Sequence, residues 1–265
     1  MSSVPQPASG PRSVASDRPR VRVAQDVPAE GENGLFTQSW FAVALSNEVA
    51  PGQVLGRDFL DGRVVVFRGE NGRASVLSAY CPHVGADLSV GRVVGNHMRC
   101  AFHHWEYDHT GRCVKTGIGD PVPRGAALFA FPTREKFGII WAFNGEEPLF
   151  DFPEFPYPES ELVMGYPYPP QLLHADPWVF CANTPDRQHA VSVHKVKQIE
   201  GDLDDKFAWD DFGFTFSYES TDQDNIPMET TLAIRGSADP ATQHRAFLLV
   251  RFSPTVRSAA ASECT

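Results

Sequence analysis

Residues 81–105 read CPHVGADLSVGRVVGNHMRCAFHHW. Cys81 and His83 stand two apart, and after sixteen further residues Cys100 and His103 stand three apart. Thiolates and imidazoles are both metal ligands. Here each short loop supplies one of each. A structural zinc site commonly groups its ligands as a cysteine pair and a histidine pair, so this mixed arrangement asks for a different metal chemistry. Gly85, Gly91 and Gly95 lie within and between the loops, and glycine allows tight backbone paths close to a bound group.

The asymmetry has a natural reader. In a Rieske [2Fe–2S] centre one iron takes two thiolates and the other two imidazoles. Two facing loops that each donate one cysteine and one histidine meet that demand, because each loop then reaches both irons. Neutral imidazoles in place of anionic thiolates make the reduced state less unfavourable and raise the potential.

The rest of the chain sets the bounds. Its 265 residues suffice for one large domain or two modest ones, and 42% are hydrophobic. No run has the roughly 18 apolar residues of a membrane span. A formal net charge of −10 argues against a nucleic-acid binder. Five cysteines, three close together (Cys81, Cys100, Cys113) and two apart (Cys181, Cys264), do not form a disulfide framework and fit a reducing, cytoplasmic setting.

Residues 1–32 are rich in Pro, Ser and Arg and poor in large apolar residues, the composition of a disordered tail. From there the chain reads as strands. RVVVFRG (63–69), ASVLSAY (74–80) and FGIIWAFNG (137–145) are apolar and β-branched runs bounded by turns, giving a small all-β domain over 33–148. A proline-rich stretch over 149–170 reads as an extended linker. A second domain over 171–265 offers one helix, about 185–198, then strands FGFTFSYES (212–220), METTLAIRG (228–236) and HRAFLLVRFS (244–253). The acids of EGDLDD (200–205) and WDD (209–211) read as solvated loop charges.

With its flanks, CPHVGADLSVG and CAFHHWEYDHTGRC, the opening stretch resembles the Rieske non-haem iron oxygenases, in the manner of a terminal oxygenase α subunit. One departure is His104, where that family often carries glycine. The spacing assigns ligation to His103 and leaves His104, like His97 and His109, as a surface side chain.

A Rieske cluster moves single electrons, so an oxygenase needs a second metal. ANTPDRQHAVSVH (182–194) matches the family's mononuclear iron motif as Asn183-x2-Asp186-x2-His189-x4-His194. The resemblance makes His189 and His194 ligands of Fe(II), with positions left open for oxygen and substrate. It makes Asp186 and Asn183 the candidate catalytic residues, Asp186 bonding across a subunit boundary to the second Rieske histidine. Thr184 and Pro185 read as N-cap and first helical residue. Five residues separate His189 from His194, about 140° around a regular helix, so the helix must break between them for the rings to meet.

The resemblance implies an α+β protein: an all-β Rieske domain, then an antiparallel-sheet catalytic domain with helices, of the helix-grip type. It implies a homotrimer, a reductase that draws on NAD(P)H, with or without a ferredoxin, and hydroxylation of a small hydrophobic organic substrate with O2. The family's third iron ligand is a carboxylate on a late helix. No such stretch follows the third strand, and neither Asp239 nor Glu263 sits in that context. The expectation is therefore an incomplete catalytic domain shortened at the C-terminus. The alternative function is a homologue that keeps the Rieske electron-transfer cluster alone.

Overall fold

The computed structural model describes residues 36, 38–155, 157–161, 183, 185–197, 206–222, 224–236 and 245–252, the last as backbone. The tail over 1–32, Thr184, the EGDLDD acids, Asp239, Glu263, Cys181 and Cys264 lie outside the described residues, as does most of the proline-rich stretch beyond Glu161.

Eleven strands fill the first part: β1 (Trp40–Leu45), β2 (Val54–Phe59), β3 (Gly62–Arg68), β4 (Ala74–Ser78), β5 (Arg92–Val94), β6 (His97–Arg99), β7 (Glu106–Tyr107), β8 (Cys113–Lys115), β9 (Ala130–Phe131), β10 (Thr133–Lys136) and β11 (Ile139–Phe143). After them come α1 (Arg187–Ser192), β12 (Phe207–Asp210), β13 (Gly213–Thr221), β14 (Pro227–Arg235) and β15 (Arg245–Phe252). The strands form antiparallel sheets in the orders β1-β11-β10, β2-β3-β4-β9, β5-β6-β7-β8 and β12-β13-β14-β15.

The run RVVVF explains how the first part is built. Successive strand residues face opposite sides, and Val64 through Phe67 are all buried. Val64 and Val66 enter one core with Val43, Ile140 and Ala142 of the three-stranded sheet. Val65 and Phe67 enter another with Leu77, Leu88, Met98, Tyr107, Cys81 and Cys100. One strand thus serves two cores, and the second core is the floor under the cysteines. Each such buried side chain contributes about 1.5–3 kcal/mol.

A third, aromatic core joins the two parts of the chain. Phe150 and Phe152, in the stretch read as linker, pack with Trp40, Phe137, Trp141 and Phe143, and Phe212 lies against the same cluster. Trp40 donates its indole N–H to the Phe150 carbonyl at 2.8 Å, and the Phe150 and Phe212 ring centroids are 5.5 Å apart. At this point the stretch is an anchor as well as a connection.

Two sequence expectations need correction. The helix is shorter than 185–198: it runs from Arg187 to Ser192 and is capped by Asp186, whose carboxylate accepts from the Gln188 N–H at 2.8 Å. An aspartate caps as well as a threonine does, and this one has the extended backbone a cap requires. The acids of 209–211 are not simply loop charges. Trp209 and Asp210 belong to β12, and Asp210 pairs with Arg235 at 3.0 Å.

Candidate metal centres

The first cluster loop leaves β4 and is closed by Cys81 N–H to Ala86 O at 2.9 Å and Gly85 N–H to Cys81 O at 2.8 Å. Gly85 has φ +77°, a conformation that favours glycine. The second loop joins β6 to β7 and is closed by Cys100 N–H to Trp105 O at 2.9 Å. Gly117 supports it from outside; a Cβ there would lie 2.1 Å from the His103 carbonyl oxygen.

The four donors divide by chemistry and depth. Cys81 and Cys100 are each 2% exposed, while His83 and His103 are exposed. The two imidazoles stand side by side, ring centroids 4.6 Å apart and 69° inclined. His83 lies flat on the Trp105 indole at 4.4 Å and 7°, and Phe102 flanks His103 at 3.9 Å. Inside, the Cys81 sulfur is 3.0 Å from the Tyr107 hydroxyl. Burial pushes the Cys81 thiol and the Tyr107 phenol up. A bare thiolate is therefore disfavoured there, and bound positive charge would be needed to hold it ionised.

The two cysteines share one core and the two imidazoles face each other, an arrangement that suits a cluster with thiolates at one iron and imidazoles at the other. Cys113, 8% exposed, packs as an apolar side chain in the core beneath. His97 faces Glu106 at 3.5 Å, and His109 is exposed. His104, exposed beside His103, has φ +58°. That left-handed backbone is the physical reason glycine suits this position.

The second donor set is a pair. The Nε2 atoms of His189 and His194 are 3.1 Å apart, with the rings 72° inclined. Two imidazoles bound cis to one metal at about 2.1 Å would have nitrogens about 3 Å apart. The helix ends between them, at Ser192, with Val193 N–H bonded back to His189 O at 2.8 Å. Lys195 then takes φ +58°, and its ammonium caps the helix by donating to Ser192 O at 2.5 Å. This break turns the His194 ring back toward His189. Asp186 and Asn183 are exposed at the other end of the segment, joined by Asp186 N–H to Asn183 O at 3.2 Å.

Sequence reasoning missed Tyr107 and Glu106. Both follow the second loop directly, in WEYD, but Cys81, the partner of Tyr107, lies 26 residues earlier, and Arg99, the partner of Glu106, lies on the neighbouring strand.

Comparison with known proteins gives the same answer as the donor geometry. Residues 39–124 match the model of the Rieske [2Fe-2S] domain. Over 157 residues the chain is 35% identical to cholesterol 7-desaturase nvd of Bombyx mori, covering 58% of this chain and 34% of that protein. It is 39% identical over 127 residues to aminopyrrolnitrin oxygenase PrnD of Pseudomonas fluorescens, covering 44% and 34%. It is 32% identical over 126 residues to the oxygenase component of 3-ketosteroid-9-alpha-monooxygenase of Rhodococcus rhodochrous, covering 48% and 33%. The chain spans about a third of the length of these curated relatives. Dicamba monooxygenase shares the fold at a TM-score of 0.57 and 23% identity, over 84% of this chain and 69% of that one. NdmA of Pseudomonas putida CBB5 does so at 0.55 and 19%, over 85% and 77%. Residues 39–124 are therefore a Rieske [2Fe–2S] domain, and over about half of its length the chain is similar to a curated desaturase and a curated oxygenase.

Proposed function

We propose that this chain acts as the oxygenase component of a Rieske system. It takes electrons from a reductase fed by NAD(P)H, directly or through a ferredoxin, and hydroxylates a small hydrophobic organic substrate with O2. The observation that carries the reading is the presence of two donor sets of different chemistry: Cys81 and Cys100 in one core with His83 and His103 facing each other on the same two loops, and the paired His189 and His194 elsewhere. When bound, a [2Fe–2S] cluster supplies one-electron transfer and a mononuclear Fe(II) supplies oxygen activation. The named relatives include a cholesterol 7-desaturase, an aminopyrrolnitrin oxygenase and a 3-ketosteroid-9-alpha-monooxygenase component, which supports a hydrophobic substrate.

Each residue has a task in this reading. Cys81 and Cys100 would hold a [2Fe–2S] cluster from the core side. His83 and His103 would hold it at the surface, where electrons can arrive and leave. His189 and His194 would hold Fe(II). Asp186 spends one carboxylate oxygen on the Gln188 N–H and has the other to accept from a histidine ring N–H of a second subunit, with Asn183 beside it. Such a charge-assisted bond is stronger than a neutral one. The trimer and a cytoplasmic location belong to the same reading; no helix among the described residues is long and apolar enough to cross a membrane.

Iron content tests it. Anaerobically purified protein should be brown, give a rhombic EPR signal on reduction, and hold about three irons per chain. A colourless protein with a single zinc would refute the cluster. Asp186→Asn sharpens the test, because asparagine caps a helix as well as aspartate does. Both metal sites should stay loaded while single-turnover electron transfer slows at least tenfold. Unchanged transfer would show that electrons take another route.

The alternative is a homologue that keeps the electron-transfer cluster alone. Two irons per chain, with His189 and His194 empty, would mark a chain that keeps the electron-transfer cluster alone.

A further inference from the structure

Glu106 is a buried carboxylate with three potentially cationic neighbours. Its side chain is 7% exposed. It accepts from Arg99 Nε at 3.0 Å and also from Arg99 Nη2. Lys115 Nζ approaches at 3.6 Å and His97 Nδ1 at 3.5 Å. Burial alone would raise its pKa, but Arg99 and then Lys115 outweigh it and hold the carboxyl below the ordinary value, so Glu106 is charged.

Its place in the sheet gives this network meaning. Arg99 and Glu106 are directly paired residues of β6 and β7, and they form the stem of the loop that carries Cys100 and His103. Glu106 is also paired with Lys115 on β8. Arg99 precedes the ligand Cys100, and Glu106 precedes Tyr107, whose hydroxyl meets the sulfur of Cys81. An isolated buried carboxylate is costly, so a short loop stem would not keep one without a cation beside it.

We propose that Glu106 is a positioning residue for the Rieske cluster. It clamps the stem of the second ligand loop through Arg99, and its negative charge offsets Arg99 and Lys115 in setting the reduction potential. The proposal rests on the [2Fe–2S] part of the functional reading and needs no mononuclear iron. Reduction adds one negative charge to the cluster, so nearby cations favour the reduced form and nearby anions the oxidised form. Removing either sign should therefore move the potential in a direction fixed beforehand.

The test is a redox titration of the holoprotein with dithionite, monitored by visible absorbance and EPR. Glu106→Gln should raise the midpoint potential, and Arg99→Met should lower it. The double variant should fall between them, near the parent. Lys115→Met, at a more exposed side chain, should lower the potential by less than Arg99→Met does. Glu106→Asp should retain the parental sign of charge and most of the cluster, whereas Glu106→Ala should lose cluster on storage several times faster. Should Glu106→Gln fail to retain iron, that loss supports the clamp, and Lys115→Met still decides the electrostatic part. Shifts of one common sign, or fully loaded variants with the parental potential, would overturn the proposal. A parent chain that never holds the cluster would instead overturn the reading beneath it, and is recognised by its lack of colour before any variant is made.

Discussion

The two candidate centres are built in opposite ways. The candidate Rieske ligands grow out of a core: both cysteines are 2% exposed and share their floor with Val65, Phe67 and Leu77. Their loops are stitched by backbone bonds, by the Arg99–Glu106 stem and by the Tyr107 hydroxyl. His189 stands on a six-residue helix with no buried residue of its own, and His194 follows its end. The pair's geometry comes from where the helix stops. A helix that short is marginal by itself. The first centre should thus be preorganised and inseparable from folding, and the second adaptable and separable from it.

Ligand removal tests that contrast with the largest expected effect. Cys100→Ser should abolish the [2Fe–2S] signal and destabilise the first part of the chain by several kcal/mol, since metal-binding free energy is folding free energy when no site exists in the unfolded chain. His194→Ala should leave the cluster spectrum intact and thermal stability within about 0.5 kcal/mol, while removing any mononuclear iron. Iron analysis, EPR and a melting curve on each variant suffice. A His194→Ala protein that melts as low as Cys100→Ser would show that the two centres are equally structural.

A smaller effect separates the loops from the core. Gly117→Ala would place a Cβ 2.1 Å from the His103 carbonyl oxygen, so the ligand loop must move. The expected cost is about 1–3 kcal/mol, with faster loss of colour in a chelator. Gly125→Ala meets nothing within 4 Å and should behave as the parent. Equal stability of the two variants in urea would mean that the second loop yields more readily than its stem suggests.

What the sequence disclosed follows from the same contrast. RVVVFRG, ASVLSAY and the later runs read clearly as strands because their burial imposes an apolar pattern on five to nine consecutive residues. The Rieske domain reads clearly because four chemically rare residues recur at short, fixed intervals within it. The sheet β5-β6-β7-β8 has strands of two or three residues, too short to carry any period. Glu106 and Tyr107 were silent because one partner is a cysteine 26 residues away and the other an arginine across a loop. At α1, Thr184, Pro185 and Asp186 all suit a helix start, and local propensity could not choose among them. At β12 the acids of WDD look like loop, but Asp210 ends a strand and its carboxylate accepts from Phe212 N–H at 2.8 Å to turn the hairpin.

Acid should weaken the scaffold of the first part through carboxylates far from the ligands. Glu135 takes a two-pronged bond from Arg68, at 2.8 and 2.9 Å. Chiefly for that reason its carboxyl lies below its ordinary 4.5. A depressed folded-state value means that the unfolded chain binds the proton first. The pair therefore stabilises fully above pH 4.5, and the benefit is lost as pH falls through the lower folded value. The melting temperature of the parent should exceed that of Glu135→Gln by a constant margin at neutral pH, and the margin should shrink below pH 4.5. A margin that instead grew on acidification would reverse the sign and place the stabilisation elsewhere.

The smallest expected effect concerns His104, the residue beside the ligand. Its φ of +58° costs a side chain about 1 kcal/mol relative to glycine, and its Cβ lies 3.3 Å from the position a Cβ would take at Gly117. Against this, glycine loosens the unfolded chain by about 0.5–1 kcal/mol. The two nearly cancel, so His104→Gly should be neutral to slightly stabilising, by less than about 1 kcal/mol. His104→Val, a β-branched residue in a left-handed conformation, should be clearly destabilising. The informative readout is the cluster spectrum. Because His103 and not His104 faces His83 at 4.6 Å, the EPR signal of His104→Gly should match the parent, while His103→Gly should lose it. A bleached His104→Gly protein would exchange the roles of the two histidines, and the aromatic cradle of Trp105 and Phe102 would then need another explanation.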